Sequence, residues 1–258
     1  MVFKRSFRLS IEIDGVIKTY QELNFTDESL KIEFDIKMGV QGSMPSGTIT
    51  IFGLNDKDMQ YLSSCYNPSR GIFKPNFISL EVGYIDKMGL IVKGNIIEVD
   101  PNFNVLGNSI TLKVMSGALN NLSKNNISTS LANDVDFRAI CQDVAKNNNM
   151  SLNFDSKISK RFLTDYSFNG TPFQQIENLR TYFNDIDIFV DGLKNVLNVL
   201  KRGNGDTINK VELSNLTGLL GKPRPTTTGL EVTSLLNTNF YAGSLVKLKN
   251  HKLTNYNY

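Results

Sequence analysis

The sequence predicts a mainly β protein with a small α+β region inserted in its middle. Three observations lead to this prediction. Over about the first 118 residues, apolar and polar positions alternate in five or six runs separated by turn residues, as in antiparallel sheets. Between residues 134 and 183 the apolar spacing changes to the helical repeat. Strand-like runs then return in the last part of the 258-residue chain.

The first region reads as an antiparallel barrel or sandwich with one short helix. Asp14-Gly15 lies between two apolar runs and predicts a tight hairpin, because both turn positions tolerate positive φ. Asn55 is placed to cap a short helix that ends near Ser64, with Met59 and Leu62 on its buried face. The predicted strands cover residues 7–13, 30–38, 47–52, 78–84, 90–99 and 110–114, and a short apolar run at 16–17 follows the first turn.

The middle region predicts two helices among short strands. The first helix spans 134–148, with Asn133 or Asp134 as its N-cap and Cys141 on its buried side. The second begins at Thr171, where Pro172 and Gln174 complete a capping box. Asp191-Gly192 predicts another hairpin, and the strands cover 151–154, 164–168, 186–190 and 195–201.

The last region returns to strands at 210–213, 230–236 and 244–248, with a turn at Ala242-Gly243. Pro223 and Pro225 favour an extended connector over residues 218–223. Residues 203–206 read GNGD, which favours a turn over a phosphate or calcium loop because no helix pattern follows.

Composition excludes several classes of function. The 28 basic and 25 acidic residues give a net charge of +3 without basic blocks, which does not support a nucleic-acid-binding protein. Cys65, Cys141 and the single histidine, His251, cannot form a zinc cluster or a nucleophilic triad. The sequence shows neither a signal peptide nor a run long enough to span a bilayer, so we expect a soluble protein made inside a cell.

One acidic group is a candidate for chemistry. Asp185, Asp187 and Asp191 share one side of a predicted strand, and paired carboxylates bind Ca²⁺ or divide acid and base roles. The favoured interpretation is the solvent side of a hairpin, because the turn already accounts for Asp191-Gly192. We therefore predict no catalytic residue, metal or cofactor.

Several short motifs, taken in order, resemble those of phage tail baseplate hub proteins. ITIFGLND at 49–56 precedes the short helix, and VGY at 82–84 is followed by LIVKGNI at 90–96. The more specific series lies near the end of the chain, where Thr238 replaces the usual proline of the family. It reads LTGLLGKP at 216–223, GLEV at 229–232, LLNTNF at 235–240 and GSLV at 243–246.

The resemblance implies two tail-tube-like antiparallel β domains and a small α+β domain. Residues 1–125 would form the first tube-like domain, and 126–204 the α+β domain. Residues 205–258 would complete or form the second. Hub proteins of this type run several tens of residues further, so this last domain is minimal, completed by a neighbouring chain, or truncated in this sequence.

The resemblance also implies a structural protein of the virion tail baseplate, synthesised in the host cytoplasm. Its copies would form a homotrimeric ring that joins the sixfold tail tube to the threefold central spike and lets DNA pass, without stable membrane insertion. Other baseplate proteins would be further partners. Two alternatives stay open: a tube or tube-initiator protein forming hexameric rings, and a cell-wall hydrolase using Asp185, Asp187 or Glu177.

Two segments are expected to support the ring, with packing inside the last domain as the alternative. The expected interface residues are Gly218, Leu219, Leu220, Gly221, Pro223, Leu235, Leu236, Asn237 and Gly243.

Overall fold

A computed structural model describes residues 5–22, 30–38, 46–84, 87–103, 107–116, 122, 125–203, 206–227, 229–250 and 253–257. This part of the chain is mainly β structure with three defined helices, which confirms the predicted class. None of those helices has the length and apolar character needed to cross a bilayer.

The first region forms one seven-stranded antiparallel sheet. Its strand order is β2-β1-β7-β8-β9-β4-β3. The strands are β1 (Arg5–Ile13), β2 (Val16–Glu22), β3 (Lys31–Lys37), β4 (Ser46–Phe52), β7 (Asn76–Tyr84), β8 (Lys87–Asn102) and β9 (Ser109–Ser116). Within the described residues the order is linear, so β2 and β3 are the two end strands of this sheet. A short hairpin of β5 (Tyr66–Asn67) and β6 (Ile72–Phe73) lies beside it.

Local sequence signals place the elements of this sheet. Asp14 and Gly15 have φ values of 53° and 81°, which closes the predicted two-residue hairpin between β1 and β2. Asn55 caps helix α1 (Asp56–Ser63), where its side chain accepts the Asp58 N–H at 2.9 Å. Met59 and Leu62 of α1 are buried, as predicted. The helix thereby covers one side of the sheet.

The middle region contains helices α2 (Phe137–Asn147) and α3 (Pro172–Thr181). Its strands are β10 (Ile127–Ser130), β11 (Asp134–Asp136), β12 (Ser151–Phe154), β13 (Phe162–Thr164), β14 (Ser167–Gly170), β15 (Ile186–Asp191) and β16 (Val196–Lys201). β12, β16 and β15 form a three-stranded sheet, while β10 pairs with β14 and β11 with β13. The capping box of α3 is present, with Thr171 and Gln174 bonded to each other's backbone N–H groups.

Two predictions for this region need correction. The N-cap of α2 is Asp136, not Asn133 or Asp134, because residues 134–136 pair with β13. That pairing also divides the strand predicted at 164–168 into β13 and β14. The hairpin predicted at Asp191-Gly192 is confirmed between β15 and β16, and the Asp191 side chain accepts the N–H groups of Leu193 and Lys194 in its loop.

The last region has less regular structure. A three-stranded sheet joins β17 (Asp206–Leu213), β20 (Ser244–Asn250) and β21 (Leu253–Asn257), and the β17–β20 pair is parallel. β18 (Leu219–Thr226) and β19 (Gly229–Ser234) form a separate hairpin. The prediction of an extended connector at 218–223 is thus wrong, because most of this segment belongs to strand β18. The prolines of β18 are tolerated because it lies at an edge.

Buried apolar residues form three clusters in the described part of the chain. The first cluster contains 20 residues and lies between the seven-stranded sheet and α1. The second contains 16 residues and lies between the helices and strands of the middle region. The third contains only Leu213, Leu219 and Leu248. A second sheet of the size of the first is not present in the described residues, so the two tube-like domains stay a prediction.

Candidate interface region

The three regions of the chain meet at contacts that depend on glycine. A Cβ atom at Gly192 would overlap Ser116 Oγ, so the middle hairpin lies directly against the end of β9. A Cβ atom at Gly89 would overlap the side chain of Thr238. A Cβ atom at Gly243 would overlap the Phe189 ring. Each pair of regions therefore touches through a glycine that permits close approach. We call these three contacts the junction.

A half-open cavity of about 50 Å³ lies at the junction. Ile36, Met38 and Val114 line it from the first sheet, and Val190 and Tyr241 line it from the other two regions. Its walls are mostly apolar. The cavity therefore marks the place where side chains of all three regions meet.

Charged groups reinforce the junction. Asp191 is 7% exposed, and its Oδ1 atom accepts the N–H groups of Leu193 at 2.9 Å and Lys194 at 3.1 Å. The Lys194 ammonium lies 3.7 Å from the centre of the Tyr241 ring and 4.0 Å from Asp191. A cation over an aromatic ring is favourable, and it joins the middle hairpin to the last region.

Four of the predicted interface residues lie together. Gly218, Leu235, Leu236 and Asn237 line a pocket of about 250 Å³ beside Tyr84 and its neighbours in the first sheet. The Leu235 N–H donates to the Gly218 carbonyl at 2.8 Å, and Leu236 packs against the first apolar cluster.

The other predicted residues are distributed differently. Leu219 and Pro223 are buried within the hairpin, whereas Leu220 is 45% exposed and Gly221 adopts a φ of 68°. Gly243 belongs to the junction. The nine residues therefore do not form one surface: they divide between the pocket, the hairpin and the junction.

Leu216 is an exposed residue that the sequence analysis did not select. It is 95% exposed, although the turn that carries it is well ordered by hydrogen bonds. Thr217 Oγ1 accepts the Ser214 N–H at 2.7 Å and donates to the Glu212 carbonyl at 2.9 Å. The sequence feature that could have identified Leu216 is a single apolar residue between polar turn-forming residues, in the segment SNLTG.

The acidic residues proposed for chemistry are engaged separately. Arg161 bonds both oxygens of Asp185, at 2.7 and 2.5 Å, and these hydrogen bonds lower the pKa of the carboxyl group. Asp187 lies 3.2 Å from Arg202 Nε, and Glu177 lies 2.5 Å from Arg180. In the described residues no group of three or more His, Cys, Asp or Glu side chains is arranged to bind a metal.

The thiols are unsuited to nucleophilic chemistry at neutral pH. Burial raises the pKa of Cys65 to about 11 and that of Cys141 to about 12. His251 lies outside the described residues, as do positions 204 and 205 of the GNGD segment.

Comparison with known protein families identifies the family of the chain. Residues 8–255 match the protein family described as Baseplate hub gp41. No curated protein sequence matches the chain.

Two solved structures share the fold. The 43 kDa tail protein of prophage MuSo2 from Shewanella oneidensis is 12% identical, with a TM-score of 0.53 over 96% of this chain and 72% of that one. The E. coli c3393 protein is a type VI secretion component, described as similar to the T4 tail proteins gp27 and gp5. It is 9% identical, with a TM-score of 0.50, and the alignment covers 97% of this chain and 65% of that one.

Proposed function

The chain belongs to the Baseplate hub gp41 family, and from this membership we propose that it forms the trimeric ring at the hub of a phage tail baseplate. In this proposal the ring joins the sixfold tail tube to the threefold central spike and lets DNA pass. The observation that carries it is the extent of the family match, which runs from residue 8 to residue 255.

The junction supports an architectural role. An adaptor between two symmetric partners must hold its parts in a fixed orientation, and the three glycine contacts do this at close packing distance. No reactive group is needed for such a role. The fold shared with the E. coli type VI secretion protein, described as similar to T4 tail proteins, supports the same interpretation.

To join a sixfold tube to a threefold spike, each copy in the ring carries two tube-like modules. Residues 1–125 provide the first module, residues 205–258 contribute to the second, and 126–204 form the α+β domain. Three copies then present six modules to the tube and three equivalent positions to the spike. A closed ring of this kind uses a head-to-tail interface between unlike surfaces of adjacent copies.

The charges of the first sheet are compatible with passing DNA. Its exposed side carries internal ion pairs between Arg8 and Glu81 at 3.1 Å and between Lys113 and Glu98 at 3.1 Å. Because these charges are paired and the net charge is only +3, we do not expect the protein to bind a polyanion such as DNA tightly. Transient passage of DNA therefore needs no special binding site.

The hydrolase alternative has less support. Glycosidases use two carboxyl groups separated by about 5–10 Å across a cleft. Asp185, Asp187 and Glu177 are each held by a different arginine instead. Clearing of a peptidoglycan suspension by the purified protein, lost in an Asp187→Asn variant, would restore the enzyme hypothesis.

The native mass of the purified protein tests the proposal. We expect a species of three copies at micromolar concentration, and the same symmetry in averaged images. A species of six copies would contradict the hub and favour a tube or tube-initiator protein. A strictly monomeric protein at all accessible concentrations would also contradict the proposed ring.

A further inference from the structure

One short segment of the last region contacts all three regions of the molecule. Residues 235–243, which we call the strap, connect β19 to β20. Leu236 of the strap packs against the first apolar cluster, and Phe240 packs against the third. At Thr238 the strap lies so close to Gly89 of β8 that a Cβ atom on this glycine would overlap the threonine side chain. The strap is thereby anchored on the first sheet and on its own region.

The strap keeps its shape through hydrogen bonds of its own. The Asn237 side chain accepts the Asn239 N–H at 3.0 Å, and the Asn237 carbonyl accepts the Phe240 N–H at 3.2 Å. Ser244 Oγ then accepts the Tyr241 N–H at 3.1 Å, where β20 begins. Two turns in succession therefore hold the strap together as a local unit.

The strap contacts the middle region at the β15–β16 hairpin. The Lys194 ammonium lies over the Tyr241 ring, 3.7 Å from its centre. Gly243 lies against the Phe189 ring, which a Cβ atom on the glycine would overlap. Lys194 is also held from its own side, because the Asp191 carboxylate accepts its N–H and lies 4.0 Å from its ammonium. The Lys194 side chain is 50% exposed, so water reaches this contact.

Beneath these contacts the middle region meets the first sheet without a shared core. In the described part of the chain, the first and second apolar clusters have no residue in common. The half-open cavity lies at this boundary, with Val92 on one side and Val190 on the other. Ser116 Oγ is buried there without a hydrogen-bond partner among the described residues. We call this boundary the seam. A buried hydroxyl group without a partner is unfavourable, and opening of the seam lets water bond to it.

We propose that the strap is a releasable clasp, and that its withdrawal from Lys194 lets the middle region turn away from the first sheet as one folded unit. The first sheet and the middle region each have a large apolar cluster of their own, with 20 and 16 buried residues, so each keeps its structure when the seam opens. A few side-chain contacts, weaker than either core, therefore decide between a closed and an open arrangement.

The clasp is a property of a single chain and does not depend on the proposed ring. In the closed arrangement, the strap gives the middle region the fixed orientation that an adaptor needs. Release changes that orientation without unfolding, because the chain still connects the middle region to β9 and to β17. Movement of a folded unit about its chain connections is a hinge motion.

Cysteine labelling at the seam tests the clasp. Ser116→Cys places a thiol at the buried boundary, and its rate of reaction with a disulfide reagent measures how often the seam opens. We expect Tyr241→Ala to accelerate this reaction by about tenfold, because the variant loses the cation–ring contact and the packing of the ring. Phe103→Ala is the matched control. It removes a ring that is 65% exposed and lies outside the strap, so the labelling rate should not change.

Variants of Lys194 separate the clasp from a general loss of packing. Lys194→Met keeps the aliphatic stem but removes the charge, and it should accelerate labelling of the Ser116→Cys protein by about fivefold. Lys194→Arg keeps a cation over the ring, so its labelling rate should stay close to that of the parent protein. Because the two residues act in one contact, Lys194→Met should add little to the effect of Tyr241→Ala in the double variant.

The native cysteines distinguish opening of the seam from unfolding. Cys65 lies in the first apolar cluster and Cys141 in the second, so both should stay unreactive while the seam thiol reacts faster. Val92→Cys provides a second seam thiol if Ser116→Cys does not fold, because Val92 is 6% exposed and lines the cavity. Circular dichroism should be the same in all variants.

The outcomes separate the clasp from the ring. Labelling of the seam thiol that is unchanged in both Tyr241→Ala and Lys194→Met overturns the clasp. Equal acceleration at Cys65, Cys141 and the seam thiol also overturns it, because the chain then unfolds as a whole. A protein that does not form trimers but shows the expected labelling contradicts the proposed function and leaves the clasp intact.

Discussion

The first sheet and the last region of the chain are both β structure, but they obtain their buried surface differently. Twenty buried apolar residues support the seven-stranded sheet from within its own segment. Among the side chains that the structure describes between residues 206 and 257, the corresponding cluster contains three. The last region instead places Leu236 against the first cluster and Gly243 against Phe189 of the middle region.

This difference indicates which region is stabilised by its own buried residues and which depends on contacts outside it. A segment that buries a large apolar cluster of its own can hold its structure alone, whereas short strand pairs cannot. The last region depends on contacts with the rest of the molecule. The predictions below test that division, beginning with the largest expected effect.

Removal of core atoms should affect the two regions unequally. Leu80 of the first sheet is 0% exposed, and Leu80→Ala should lower the free energy of unfolding by about 3 kcal/mol, from lost burial and the cavity left behind. Leu248 is 4% exposed but lies in the three-residue cluster, where the site can collapse more easily. Leu248→Ala should cost less than half as much. Equal losses in chemical denaturation would contradict the comparison.

Overpacking of the junction should give an intermediate effect. Gly192→Ala should destabilise the protein by about 1–3 kcal/mol, because the added methyl group overlaps Ser116 Oγ. Ser116→Gly removes the overlapping group, so the double variant should recover most of the loss. A double variant as unstable as Gly192→Ala would show that overlap with Ser116 Oγ does not cause the loss of stability.

Thiol reactivity should report on the first two clusters separately. Because burial raises the pKa values of Cys65 and Cys141, neither should react with a disulfide reagent at pH 8 in the folded protein. Leu80→Ala should accelerate the reaction of Cys65 more than that of Cys141, while Leu248→Ala should leave both slow. Peptide mapping of the labelled sites provides the measurement. Faster labelling of Cys65 in Leu248→Ala would show that the regions open together.

The smallest effect concerns the ion pairs at acid pH. Hydrogen bonds from Arg161 lower the pKa of Asp185, and those from Lys249 lower the pKa of Glu212 in the last region. Each pair therefore adds stability above the ordinary pKa of its carboxyl group, 3.8 or 4.5, and loses it as the pH falls through the lowered value. Asp185→Asn and Glu212→Gln should each flatten the pH dependence of the thermal midpoint slightly below pH 4.5. A variant whose pH dependence is unchanged would show that its ion pair does not contribute to stability.

The sequence predicted elements whose causes are local. Asp14-Gly15 and Thr171-Pro172 specify their turn and cap through neighbouring atoms, and both were placed correctly. The N-cap of α2 was misplaced because residues 134–136 pair with 162–164, about 28 positions away in the chain. Pairing between distant segments has no signal in local periodicity.

The junction was mostly invisible in the sequence for the same reason. Gly243 was selected through its motif, but Gly89 and Gly192 were not selected, because their need for a small residue comes from Thr238 and Ser116. The hairpin strand β18 was missed because its prolines suggested a connector rather than an edge.

Amide hydrogen exchange tests the central claim most directly, namely that the first sheet is held by its own buried cluster whereas the last region depends on contacts beyond its own segment. We predict slow exchange in β1, β7, β8 and β9, and exchange at least about tenfold faster in β18 and β19, which are supported by the three-residue cluster. Equal protection of the two regions would contradict the account.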